Sequence, residues 1–159
     1  MLTERFKKGQ TLIETVAAMA VAVIIIAALV GMAVTSLRSS NLSRSKAIAT
    51  QLLSEEIERV RIYRDNSANA YFSGLKSDLG LTSQVCPTVV GPYYINGSQM
   101  INSGSETVTS NNLQFVRSLT ACLTDSVAKV IEVTATVSWT DSAGTHPLRI
   151  TTYLSDWRN

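Results

Sequence analysis

The chain has 159 residues, 45% of them hydrophobic and 16% charged, with a formal net charge of +2. That length accommodates one ordinary domain plus a membrane segment. Arg5, Lys7 and Lys8 against Glu4 supply all of the excess charge, so residues 10–159 are neutral and carry no electrostatic footprint for nucleic acid.

Residues 1–9, MLTERFKKG, form a short basic segment, and QTLIE follows directly. Residues 15–37, TVAAMAVAVIIIAALVGMAVTSL, contain no charged side chain. About 20 helical residues cross a hydrocarbon core roughly 30 Å thick, so this run is long enough to span a membrane. Lys7 and Lys8 on its N-terminal side predict that this end stays cytoplasmic. A secretory signal peptide fits the basic start, but the run exceeds an ordinary signal core and no A-x-A-like site closes it.

The helical pattern continues past residue 37. Leu42, Ala49, Leu53, Ile57 and Val60 recur at helical spacing, with Ile48 and Leu52 beside them. Glu55–Arg59 and Glu58–Arg61 stand at spacings that support a solvated helix face. No proline interrupts residues 10–64, which predicts one helix of about 55 residues, roughly 80 Å long. Its first half is apolar all round; its second half is amphipathic and needs a partner surface.

The helix is expected to stop near Asp65-Asn66, where Asn, Ser and Gly accumulate. Residues 66–85 read as a connection with one short helix around Ser73–Leu79. From Cys86 the pattern turns to strands. Pro92-Tyr93-Tyr94-Ile95, Asn96-Gly97 and Ser98–Ile101 suggest a hairpin with a type I′ turn. NSGSETVTSNN, residues 102–112, reads as a flexible loop. Leu113–Thr124 is the next strand. In Ala128–Thr140, Ile131, Val133, Ala135, Val137 and Trp139 alternate with polar residues, which predicts one buried and one wet face. Asp141–Gly144 makes a turn, and Leu148, Ile150, Thr152 and Leu154 alternate on the last strand. A sheet with one apolar face must bury it, and the amphipathic half of the helix is the large apolar surface on offer. The expected fold is therefore α+β: a long N-terminal helix whose second half packs on a C-terminal antiparallel sheet, the first half remaining bare.

Cys86 and Cys122 both follow the apolar run. If that run places the rest of the chain outside the cytoplasm, a disulfide between them is natural. It would close a loop of about 37 residues, worth roughly 4 kcal/mol on the chain-entropy model. Two buried free thiols, or pairing with another chain, are the alternatives.

KKGQTLIE, residues 7–14, followed by the uncharged run, resembles the signal sequence of type IV prepilins and related pseudopilins. In that family a short basic leader ends in Gly, and a membrane peptidase cuts after it on the cytoplasmic side. The new N-terminus is usually methylated, and the fifth mature residue is usually Glu. The resemblance implies a leader of 1–9, cleavage at Gly9, a mature start at Gln10 and an assembly role for Glu14. It also implies that Glu14 meets the N-terminal amine of a neighbouring subunit. Two positions depart from the family pattern. The first mature residue is most often Phe, whereas here it is Gln10, which can cyclise and lose its charge. Many pilins carry Pro in the distal part of the apolar helix, where Gly31 stands here as a weaker break. The last strands resemble the C-terminal hairpin of minor pilins and pseudopilins.

Little else in the sequence suggests chemistry. His146, the one histidine, precedes Pro147 and reads as an exposed turn residue. One His and two distant Cys do not build a zinc site, and they supply no Ser/His/Asp arrangement. Phosphate-binding glycine loops are absent from the sequence. Trp139 and Trp157 read as packing residues. The expectation is a non-enzymatic subunit with no metal and no cofactor, divided into a leader (1–9), a membrane or filament-core half-helix (10–37), an amphipathic half-helix (38–65) and a head (66–159). Its partners would be the membrane, a prepilin peptidase and other pilin subunits. It would start as a single-pass protein of the cytoplasmic membrane and end in a surface filament. The alternative is a single-pass anchored binding or adhesion domain that never polymerises and needs neither Gly9 nor Glu14.

Overall fold

The computed structural model describes residues 3–66, 70–97, 101–124 and 129–156, with side chains from Leu12 onward. Helix α1 runs over Thr3–Asp65. It begins before Gln10, where the sequence suggested that it starts. The residues before Gly9 include no Pro, and one Gly inside a helix costs only about 1 kcal/mol, so the backbone continues through it. Helix α2, Tyr71–Asp78, falls where the short connecting helix was expected.

Six antiparallel strands follow: β1 (Val90–Ile95), β2 (Ile101–Ser103), β3 (Glu106–Ser110), β4 (Leu113–Leu123), β5 (Val130–Asp141) and β6 (Gly144–Ser155). The sheet order is β2-β1-β4-β5-β6, with β3 also pairing β4. β4 therefore shares one edge between two strands: Glu106–Ser110 covers its first half and β1 its second.

Three strand expectations change. Residues 102–112 are not a loop, because β3 lies within them and pairs β4 from Glu106↔Arg117 to Ser110↔Leu113. Asn111 and Asn112 both take positive φ, 50° and 60°, which is what a type I′ hairpin turn requires. The Asn-Gly hairpin is longer than expected. Ile95 pairs with Ile101, so residues 96–100 connect the strands, and of these 98–100 lie outside the described residues. His146 lies inside β6 and is half-buried, not in a turn, since the turn closes earlier at Asp141↔Gly144. Trp157 lies outside the described residues.

The core forms where the two periodicities meet. Ala49, Leu52, Leu53, Ile57, Val60 and Tyr63 make a buried stripe on α1 at helical spacing. Phe115, Leu119, Ile131, Val133, Val137 and Trp139 make the buried face of the sheet at alternating spacing. α2 adds Phe72 and Leu75, and Tyr63 donates a hydrogen bond to Asp78 at the end of that helix. Cys86 and Cys122 form a disulfide with Cα atoms 5.2 Å apart. Beside it the Cys86 amide donates to Leu123 O and the Leu123 amide to Gln84 O, both at 2.8 Å, so the segment before β1 is tied to the end of β4.

Candidate functional site: the exposed apolar segment of the helix

Gly9 and Gln10 lie on the helical backbone of α1. Glu14 is exposed. So are its neighbours Leu12 and Ile13, at 67% and 70%. From Leu12 to Asn41 every residue is exposed, including Val16, Met19, Ile24, Ile26, Leu29 and Met32. A continuous apolar surface of that extent signals a membrane or another protein as its surroundings. Residues 15–37 extend about 34 Å as helix, enough for the roughly 30 Å hydrocarbon core. Among the described residues this is the one helix long and apolar enough to cross a membrane.

Local chemistry inside the segment is sparse. The Thr15 hydroxyl donates to Leu12 O at 2.9 Å. Thr35 Oγ1 lies 3.1 Å from Gly31 O and 2.9 Å from Met32 O. The helix is unbroken at Gly31, and a Cβ placed there would meet nothing within 4 Å.

Sequence reasoning missed a second cluster, in the head. Glu56 is fully buried and its Oε1 accepts from the Ile95 amide at 3.0 Å. Arg117, 3% exposed, places its Nε 3.3 Å from Glu56 Oε2 and 2.7 Å from Glu106 Oε2. The Nε–H is directed at Glu106, so Glu56 Oε2 has an ion-pair neighbour but no hydrogen bond. Arg59 donates to Ile95 O at 2.7 Å and pairs with Glu55. Burial pushes the Glu56 carboxyl above its ordinary range. The Ile95 amide, Arg117 and Arg59 pull it back, while Glu106 pushes it further up. The signal was present in the sequence. Glu56 occupies a position of the apolar stripe beside Leu52, Leu53 and Val60, and Arg117 an inward position between Phe115 and Leu119. The cluster ties α1 to β1, β3 and β4 and is structural.

Nearby, beside Phe115, the His146 ring stacks on Trp139, with centroids 5.3 Å apart, and its Nε2 lies 3.0 Å from Asp141 Oδ1. The Ala143 amide and then His146 hold the Asp141 carboxyl below its usual range. Cys86, Cys122 and Glu132 are the one close trio of metal-ligating types among the described residues, but the two sulfurs are joined to each other and offer no thiolate.

No family model, curated protein or solved structure matches the chain. The long N-terminal apolar helix, the antiparallel sheet packed on its second half and the disulfide are compatible with a pilin-like fold.

Proposed function

We propose that the chain is a structural subunit of a type IV pilus-like or type II secretion-like filament. It is made as a membrane-anchored precursor and cut after Gly9 by a prepilin peptidase. The observation that carries this reading is the exposed apolar run 15–37, headed by Glu14 as the single charge between Gly9 and Arg38. A membrane anchor needs no such carboxylate, and burying one in an apolar setting costs roughly 3 kcal/mol at mid-bilayer. A filament subunit gains from it. Cleavage would free an amine at Gln10, four residues ahead of Glu14, and the amine of a neighbouring copy would compensate the carboxylate and set the register between subunits.

In this reading the apolar segments of other copies replace lipid around residues 15–37. The head presents its sheet outward, and the chain needs no catalytic residue or cofactor. The test is the N-terminus of the native protein, read by mass spectrometry from membranes and from sheared surface material. A chain that starts at Gln10 and occurs in the sheared fraction is the expected result. A chain that starts at Met1 and stays in membranes would instead identify a single-pass anchored binding domain.

A further inference from the structure

From Glu14 onward the charges along α1 fall into two groups. Glu55, Glu56, Glu58, Arg59, Arg61, Arg64 and Asp65 all make ion pairs with described residues. Glu14, Arg38, Arg44 and Lys46 are exposed and make none among the described residues. Glu14 and Arg38 border the uncharged run at its two ends, about 36 Å apart along the helix axis. Two side chains do not bridge that distance, whether on one helix or on two copies level in the same bilayer. They meet only between copies displaced along the axis by about that length.

Their directions fit such a displacement. At about 100° per residue, Arg38 lies about 240° round the axis from Glu14, on the opposite half of the helix. A head-to-tail row of identical subunits uses different faces towards the copy above and the copy below. Lys46, about 320° round, returns to the Glu14 side. Arg44 is as far round as Arg38 in the other sense, but it stands about 9 Å further along the axis than Arg38, beyond a polar stretch of helix.

We infer that Glu14 of one copy pairs with Arg38 of a second copy of this chain displaced by about 36 Å. The inference rests on the filament reading and supplies Glu14 with a cation besides the Gln10 amine. A guanidinium is always charged, binds a carboxylate with two parallel hydrogen bonds, and is unaffected by cyclisation of Gln10. The displacement is about the thickness of the hydrocarbon core, so the pair is closed to copies resting side by side in the membrane. It forms as subunits are lifted into place, and it fixes their axial register.

The test uses the full chain in cells that make the filament. Sheared surface material is quantified, with its N-terminus determined, for the wild type, Arg38→Glu, Glu14→Lys, the double reversal, Arg38→Lys and Arg44→Glu. Each single reversal is expected to lower sheared material at least about tenfold, because it sets like charges face to face, while the membrane form is still cut after Gly9. The double reversal still loses the Gln10 amine contact but is expected to assemble better than Glu14→Lys alone, and Arg38→Lys and Arg44→Glu are expected to assemble. Arg38→Glu assembling at the wild-type level would overturn the pair, as would a cleaved double variant no better than Glu14→Lys alone. Wild-type protein that begins at Met1, or is missing from sheared material, would overturn the filament reading itself and the pair with it.

Discussion

Glu56 and Arg117 sit where apolar side chains belong, and their burial sets their energetics. A buried charge left without its partner is costly, about 3–5 kcal/mol, whereas a pair removed together often costs little. Arg117→Met is therefore expected to destabilise the protein by about 3–5 kcal/mol, and adding Glu56→Gln to recover at least half of that, since the amide still accepts from Ile95. Denaturant unfolding of the full chain in detergent checks both; equal losses in the single and double variants would refute the assignment. The pH dependence follows from the same burial. Folding raises the Glu56 pKa above its ordinary 4.5, so its contribution is full below that value and is lost as pH rises through the folded one. Glu56→Gln cannot ionise and is expected to lack this decline. Parallel stability curves for variant and wild type would count against it. Neither residue was legible as a pair in the sequence, because which inward positions face each other depends on how the sheet lies over the helix.

At the scale of elements, the periodicities were readable and the turn chemistry only partly so. β4, β5 and β6 appear where alternation placed them, because a half-buried strand imposes a two-residue repeat on its own side chains. β3 escapes pattern reading because its Ser and Thr, next to Asn111 and Asn112, read as loop; its partner β4 and the left-handed Asn111-Asn112 turn make it a strand. Gly91 shows another constraint invisible to pattern reading. Its φ is +123°, and a Cβ there would lie 2.7 Å from Leu119 O on the neighbouring strand. Gly91→Ala combines backbone strain with a backbone clash and is expected to cost about 2 kcal/mol or more, measured as a fall in the unfolding midpoint. The disulfide holds the segment before β1 against the end of β4. Replacing Cys86 and Cys122 together by Ser should lower stability by about 2–4 kcal/mol. Reducing agent should destabilise the wild type and leave the double variant unchanged.

At the scale of the whole molecule, the chain combines a core-forming head with a helical segment whose apolar side chains are exposed throughout. Such a surface is costly in water and is suited to an apolar surrounding such as a bilayer. In the filament reading Glu14→Ala separates the two environments. Membrane insertion depends on the apolar run and is expected to be unchanged, while sheared surface material is expected to fall at least about tenfold with loss of a charge pair in an apolar setting. Wild-type amounts of sheared Glu14→Ala protein would remove the assembly role of that carboxylate.

The sequence by itself determined the apolar span, the amphipathic continuation of the helix and the alternating strands. Each is a local pattern that repeats with the geometry of its own backbone. In the filament reading the proposed roles of Gly9, Gln10 and Glu14 likewise rest on their spacing along one helix. Only the tertiary structure decided that Cys86 meets Cys122, that β3 joins the sheet, that Glu56 and Arg117 share a buried site, and that His146 stacks on Trp139. Those are meetings between residues far apart in the chain, set by strand order and by the packing of the sheet on the helix.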